Sequence, residues 1–458
     1  MNPANKYHLI GIGGIGMSGI ARLMRARGIA VSGSDAKQSS ATDELAALGC
    51  RICIGHTAAN LADADEVIYS SAIRGDNAEM AEAGRRGIPV RRRAEALAQL
   101  MEDKKVITVS GAHGKTTTSS LVSHMLITAG LSPTVAVGGI FKNIGNNVYT
   151  GSGEYFVAEA DESDGTFLCY RPTYSIITNI DREHLDYYHD FNALLDAFRR
   201  FMGQTDPKGC LFTCGQDPHL RKLLSTYRGG RAVQYGFDQE LEMHAGSIRF
   251  KGLSSEFDCF RRGEFLARFR LNLGGSHNVS NALGVIALGM EMGIGIGTIA
   301  KALESYQGAG RRLDVKLRSE RWTVVDDYAH HPTEIRATLA ALAQMECGRR
   351  IIVFQTHRYT RTKLLLEEFG ACFAQADQVI ITDIYAASET PIEGVNAGLI
   401  VEKIRQNFPG KPVAYAARGT LTESVLASLE PRDLVATLGA GDITRVSDEI
   451  AAQLSKRE

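Results

Sequence analysis

The 458-residue sequence has no excess of one charge: 51 lysines and arginines stand against 52 acids, a net charge of -1. A chain so balanced offers no global field to draw nucleic acid or an anionic membrane, so recognition falls to local sites. It contains no apolar run long enough to cross a bilayer. Its start, MNPANKYHLIGIG, lacks the basic leader and small-residue cleavage site of an export signal. A cytoplasmic protein without membrane insertion or nucleic-acid partner is the expectation. Cysteine is sparse: eight residues are scattered along the chain, and the one CxxC, Cys50 and Cys53, lies in the strand-like stretch Cys50–Gly55. Reduced thiols suit this pattern better than a zinc site pairing them with Cys210 and Cys214. Low-complexity tracts and short-period repeats are missing. What remains, 44% apolar and 22% charged, is an ordinary globular composition.

The length exceeds one core at roughly 100–200 residues per domain, and three domains are expected. Up to residue 103, short apolar runs (Tyr7–Ile12, Ile29–Ser32, Arg51–Ile54, Glu66–Ala72) alternate with helix-length segments, the pattern of a parallel α/β sheet. A charged stretch ending Glu102-Asp103-Lys104-Lys105 then precedes a fresh strand, Val106–Val109, and a second glycine loop. After Gly308–Arg312, Trp322–Asp326 opens a third set of strands with Ile351–Gln355, Gln378–Asp383 and Leu434–Leu438. The expected fold is therefore α/β throughout: a Rossmann-like domain over 1–103, a central P-loop ATPase-like domain over 104–312, and a C-terminal Rossmann-like domain over 313–458.

Gly11-Ile12-Gly13-Gly14-Ile15-Gly16 follows a strand and opens a helix, with Ser34-Asp35 ending the next strand. Glycines let the backbone approach a diphosphate, and the helix N-terminus supplies amide donors, while Asp35 would reach a ribose or base. The pattern suits NAD as well as a sugar nucleotide, so a dehydrogenase stays open here. The second loop, Gly111-Ala112-His113-Gly114-Lys115-Thr116-Thr117-Thr118, has Val109 where the usual P-loop begins with glycine. Its chemistry is nonetheless that of nucleotide phosphates: backbone amides around the anion, Lys115 for the β- and γ-phosphate oxygens, and the Thr116 hydroxyl for Mg²⁺.

GAHGKTTT resembles the variant P-loop of the Mur ligases and their relatives that charge folate with glutamate. Further segments follow in that family's order: Glu159–Asp164, Thr178–His184, Gly275–Ala282 and Gly310–Arg312. Asp326–Glu334 and Phe354–Arg361 are similar to the branch that works with L-alanine. The resemblance spans nearly the whole chain and implies an ATP-dependent ligase. Its members of that branch join L-alanine to the lactyl carboxylate of UDP-N-acetylmuramate through an acyl phosphate. It further implies that Thr116, Glu159 and His184 hold Mg²⁺, and that Gly111 to Thr117, His277, Asn278, Asn281, Arg312 and Asp327 serve ATP. Lys115, Glu159, His184, Arg312 and His330 would carry the catalysis. The first loop (Gly11, Gly13, Gly14, Gly16, with Ser34, Asp35, Ser70 and Ser71) would hold the UDP-sugar, which weighs against a dehydrogenase. Beside the family label, Glu159 follows the apolar strand Tyr155–Ala158 and His184 follows Ser175–Asn179, at the strand ends where α/β ligands bind. Asp161, Glu162 and Asp164 are either supporting acids or exposed ones.

Tyr328, His330, His357, Arg358 and Arg361 are the expected amino-acid pocket. If a helix starts at this segment, Arg358 and Arg361 share one face and both guanidinium groups can meet one carboxylate. A rival within the family adds a whole tripeptide to the same sugar and differs only in this pocket. Several Mur ligases carry a carbamoylated lysine soon after the metal histidine. From Glu183 to Pro207 this chain has no lysine, and Arg199 and Arg200 stand near its place.

Overall fold

The computed structural model describes every residue except Ser71, Ser388 and Glu458, and the backbone alone of Asp186. Three sheets follow one another along the chain. The first joins β1 (Lys6–Ile10), β2 (Ala30–Asp35), β3 (Arg51–Ile54), β4 (Glu66–Tyr69) and β5 (Val90–Arg92) in the order β3-β2-β1-β4-β5, all parallel. Central β1 is buried from Tyr7 to Ile10, as a strand covered on both faces requires. It stops two residues short of the expected Ile12, because Gly11 turns the chain with φ +78°.

The second sheet contains β6 (Lys105–Ser110), β7 (Thr134–Phe141), β8 (Asn146–Tyr149), β9 (Tyr155–Glu159), β10 (Tyr174–Ile177), β11 (Cys210–Cys214), β12 (Arg231–Gly236), β13 (Met243–Lys251), β14 (Ser254–Arg261) and β15 (Glu264–Leu271). Their order is β15-β14-β13-β12-β11-β10-β6-β9-β7-β8. Parallel pairing puts the carboxyl ends of β6, β9 and β10 side by side, and the chemistry-bearing loops leave from those ends. The third sheet runs β16 (Asp314–Arg318), β17 (Trp322–Asp327), β21 (Asp433–Leu438), β18 (Arg350–Phe354), β19 (Gln378–Ile381) and β20 (Val413–Tyr415), parallel except for edge strand β16. Neighbouring residues of one strand enter opposite cores. Val325, Ile352, Phe354 and Ala436 pack with the helices Pro332–Leu342 and Gly398–Asn407, whereas Val324, Ile351, Val353 and Val435 pack with Leu421–Ser428 and Thr444–Leu454.

The chain divides into two compact units. One holds Met1–Gly246, Asp258–Ala267 and Ser280–Tyr306; the other holds Ser247–Phe257, Arg268–Val279 and Gln307–Glu458. The first two sheets, apart from the shared strands β13 to β15, thus lie in one unit. Within it, Asn147 Nδ2 on β8 donates to the Ile15 carbonyl at 2.9 Å, tying the central sheet to the helix Ile15–Ala26. Cys50 and Cys53 sit at β3 and Cys210 and Cys214 on β11, in different sheets, and all eight cysteines are free.

Candidate active site

In the first unit, β6 delivers Gly111–Gly114 to the start of the helix Lys115–Thr128. Gly111 has φ +125°, and a Cβ there would stand 2.3 Å from Thr178 Oγ1. Gly114 has φ +83°, and a Cβ would stand 2.8 Å from Asn281 Oδ1. Both positions require glycine. The loop is braced from the end of β10. Ala112 N donates to the Asn179 carbonyl (3.1 Å), His113 N to Asn179 Oδ1 (2.8 Å), and Thr178 Oγ1 to the His113 carbonyl (2.6 Å). His113 Nε2 lies 2.9 Å from Asp181 Oδ2. This bracing role of Thr178–Asp181 escaped sequence reasoning; the segment was marked by its place in the family's order and by following an apolar strand, but nothing local showed that it holds the loop.

Lys115 Nζ donates to the Gly111 carbonyl (2.7 Å) and to both oxygens of Glu162 (3.0 and 2.9 Å), with Asp161 Oδ1 at 3.8 Å. Burial works against its charge, but Glu162, Asp161 and Glu159 outweigh burial and hold the ammonium above the usual lysine range. Thr116 Oγ1 donates to Glu159 Oε2 at 2.9 Å, and Gly138 N donates to the same oxygen at 3.0 Å. Thr117 is buried one residue further along the helix. His184 Nε2 is 3.8 Å from Glu162 Oε1 and 3.6 Å from Glu183 Oε2. Asp161, Glu162 and His184 offer ligand atoms that all lie within 4.8 Å of one another. The structure thus pairs two of the three expected metal residues and gathers the third with Asp161 and Glu162. Glu162 is not an exposed acid; it is 1% exposed.

At the first loop, Gly13 N donates to Asp35 Oδ2 (2.9 Å), and Gly11 and Ile12 donate to the Ser34 carbonyl (2.8 and 2.9 Å). Gly14 caps the helix Ile15–Ala26, and a Cβ on Gly16 would meet Arg93 Nη1 at 2.8 Å. Ser34 was expected among the ligand-facing residues, but its side chain turns inward. It is 0% exposed and donates to Glu79 Oε2 at 2.6 Å, in a network with His56. Successive side chains of a strand point to opposite faces, so Asp35 takes the loop side and Ser34 the interior. Ser70 Oγ accepts from Ala72 N at 3.3 Å, and Ser71 lies outside the described residues.

The second unit carries a different cluster. The guanidinium groups of Arg311 and Arg312 lie 4.9 and 5.1 Å from the Tyr328 ring centre. Arg312 Nη1 is 3.5 Å from Glu334 Oε1. Asp327 is buried, and its carboxylate accepts from Leu313 N (2.6 Å) and Ala329 N (2.8 Å), so it closes the turn that displays Arg312. Burial, only partly opposed by Arg312, pushes its carboxyl up to about 6. His277 is held down at about 4 by burial and Arg312, while Asn278 Nδ2 donates to the Gly274 carbonyl at 2.8 Å.

His330 Nδ1 lies 3.0 Å from the Tyr328 carbonyl and 3.1 Å from Glu334 Oε2, with its ring 5.8 Å from the His357 ring. His357 stacks on Tyr385 and receives Arg361 Nη1 at 3.4 Å on its Nδ1. Burial, then His330, Arg361 and Arg358, push its imidazole down to about 3. Arg358 is not on the helix face expected of it. It caps the helix Tyr359–Leu364 with φ +72°, its N–H donating to the Tyr385 carbonyl at 2.8 Å. It reaches the cluster from a strained cap, of the kind that surrounding structure must enforce.

Three family models match in succession: "Mur ligase family, catalytic domain" over residues 6–105, "Mur ligase middle domain" over 109–289, and "Mur ligase, glutamate ligase domain" over 311–441. The chain belongs to the Mur ligase family. Its fold is accordingly the three-domain α/β Mur ligase fold. The chain is 44% identical to the UDP-N-acetylmuramate–L-alanine ligase of Syntrophus aciditrophicus, over 98% of this chain and 94% of that one. It is 45% identical to the protein of the same name from Pelotomaculum thermopropionicum, over 100% and 99%. Among solved structures, the UDP-N-acetylmuramate-alanine ligase of Thermotoga maritima superposes with a TM-score of 0.85 at 29% identity, covering 99% and 100% of the two chains. In Mur ligase terms, the matched segments carry in turn the first glycine loop, the P-loop with its acids, and the Arg312–Arg361 cluster.

Proposed function

We propose that this Mur ligase joins L-alanine to the lactyl carboxylate of UDP-N-acetylmuramate at the expense of ATP, releasing ADP and phosphate, in the cytoplasm. The observation that carries the reading is full-length identity of 44–45% to relatives bearing that activity in their names. The site chemistry agrees with it. A carboxylate oxygen attacks the γ-phosphorus and ADP leaves. The alanine amine then attacks the acyl carbon of the resulting acyl phosphate, loses a proton, and inorganic phosphate departs. Such chemistry needs positioning and charge neutralisation and no protein nucleophile.

Lys115 neutralises charge on the transferring phosphoryl group, and the amides of the Gly111–Gly114 loop cradle the phosphates. The first loop and Asp35 take the UDP end. Thr116, Glu159 and Asp161 present the oxygen donors that suit Mg²⁺, with His184 beside them. Bound there, Mg²⁺ would supply positive charge to the phosphate oxygens. Arg312 is the second unit's cation for nucleotide phosphate. Arg358 and Arg361 suit the alanine carboxylate, with His330 and Tyr328 beside the amine.

Phosphate release from ATP, measured with UDP-N-acetylmuramate and each amino acid in turn, tests the reading. Release is expected with alanine; release only with the tripeptide would place the chain on the recycling branch instead. Calorimetry is expected to show UDP-N-acetylmuramate binding and no NAD binding. Tight NAD binding would revive the dehydrogenase.

A further inference from the structure

Outside the residues already given roles, one buried acid joins two parts of the phosphate site. Glu162 bonds Lys115 Nζ through both oxygens, at 3.0 and 2.9 Å, and stands 3.8 Å from His184 Nε2. Its backbone carbonyl accepts from Tyr188 Oη at 2.6 Å and from Gly165 N at 3.0 Å. Tyr188 belongs to the short helix Leu185–Tyr188, flanked by His184 at φ +59° and His189 at φ +66°. Two non-glycine residues in the left-handed region persist only where tertiary contacts enforce them. The contacts are present: Tyr188 Oη reaches the Glu162 carbonyl, and a Cβ on Gly165 would stand 2.6 Å from Tyr187 Oη. The turn Glu162–Gly165 and the segment His184–His189 are thus built against each other.

We propose that Glu162 is a positioning residue of the phosphoryl-transfer site, setting Lys115 on the glycine loop and His184 on the segment after β10, with the Tyr188 hydroxyl holding Glu162 in place. A lysine ammonium on a four-carbon stem has many rotamers, and a fixed carboxylate selects one before phosphate arrives. Glu159 does a separate job: its carboxylate meets Thr116 and the Gly138 amide. The proposal rests on the ligase reading above.

The test starts from wild-type enzyme, whose alanine- and UDP-sugar-dependent phosphate release stands or falls with the ligase reading alone. Glu162→Gln keeps the size of the side chain and removes its charge; Tyr188→Phe removes one hydroxyl and serves alone if the first variant does not fold. Glu162→Gln is expected to lower kcat by about tenfold or more, the scale of a lost hydrogen bond to a charged group. Tyr188→Phe should shift kcat in the same direction and less. KM values for UDP-sugar and alanine should stay within about twofold, since Glu162 acts through Lys115 and His184 rather than on either substrate. A second readout is independent of turnover: the Mg²⁺ concentration that half-maximally tightens a non-hydrolysable ATP analogue, by calorimetry, should rise in both variants. If either readout stays at wild type in both variants, whatever their melting temperatures, the proposal is overturned.

Discussion

The acid-rich cluster around Lys115 and the imidazole-arginine cluster around His357 have opposite charge balance. In the first, one buried ammonium faces Glu159, Asp161 and Glu162. In the second, Arg358 and Arg361 crowd an imidazole held down at about 3. That imbalance decides which ligand each can take. Surplus carboxylate in a buried site calls for added cations, as a nucleotide bound with Mg²⁺ brings, whereas surplus guanidinium calls for an anion such as an amino-acid carboxylate. Keeping His357 neutral avoids a third positive charge beside the two arginines.

The largest expected effect comes from the acid-rich side. Lys115→Ala should reduce turnover by roughly 10³-fold, the range for loss of a charge-neutralising group in phosphoryl transfer. It also strips Glu162, buried and hydrogen-bonded to Lys115, of its partner. A broken buried pair costs about 3–5 kcal/mol, so the variant should melt lower. Adding Glu162→Gln should recover part of the melting temperature and none of the turnover. Steady-state kinetics and calorimetry on the single and double variants check both halves; near-wild-type turnover would remove Lys115 from the reaction.

On the cationic side, Arg358→Ala or Arg361→Ala should raise the alanine KM by about 10- to 150-fold, the worth of one charged hydrogen bond. KM values for ATP and UDP-sugar should hardly move. An effect confined to ATP would reassign these arginines to the nucleotide and erase the contrast between clusters. Arg358 permits a sharper cut. At φ +72°, glycine is at ease where alanine is strained, so Arg358→Gly should melt higher than Arg358→Ala while showing the same alanine defect.

Smaller, and dependent on pH, is the cost of keeping imidazoles neutral. His277 and His357 are depressed to about 4 and about 3. An unfolded histidine titrates near 6.5, so below that pH the unfolded chain binds more protons than the folded one. Stability is fully present above about pH 6.5 and declines as pH falls toward 4 and then 3. Denaturant midpoints between pH 7 and 4.5 should fall accordingly, and His357→Gln should flatten that slope. An unchanged slope would mean that His357 charges freely in the folded state.

Much of the site was legible because its signals are local. Strand, glycine loop, Lys115 and Thr116 are contiguous, so their spacing reports their geometry. Glu159 was readable as the last residue of an apolar strand. What stayed hidden depends on contacts across the sheet or on single dihedral angles. Thr178 and Asn179 bond a loop some sixty-five residues earlier. Glu162, three residues from Glu159 in an acidic run, turns inward to Lys115, a partner 47 residues earlier in the chain. Ser34 and Asp35 are adjacent yet face opposite ways, and Arg358 leaves the helical path at its cap. The three sheets were anticipated from strand and helix alternation, but β7, β8 and the strands β13 to β15 carry no glycine-loop signal and were not singled out.

The smallest expected effect is none at all. With no lysine between Glu183 and Pro207, and with guanidinium groups at Arg199 and Arg200 unable to form one, no carbamate can form in that stretch. Added bicarbonate should leave turnover unchanged; stimulation would show that a lysine elsewhere supplies the carbamate.

The division of labour between the clusters is tested most directly by trapping the acyl phosphate. Arg358→Ala enzyme is mixed with ATP and UDP-N-acetylmuramate, without alanine, and quenched into hydroxylamine, and the UDP-sugar hydroxamate is quantified. Near-wild-type hydroxamate is expected from Arg358→Ala and none from Lys115→Ala. Loss of hydroxamate from Arg358→Ala as well would contradict that division, because the arginine cluster would then serve phosphoryl transfer rather than the amino acid.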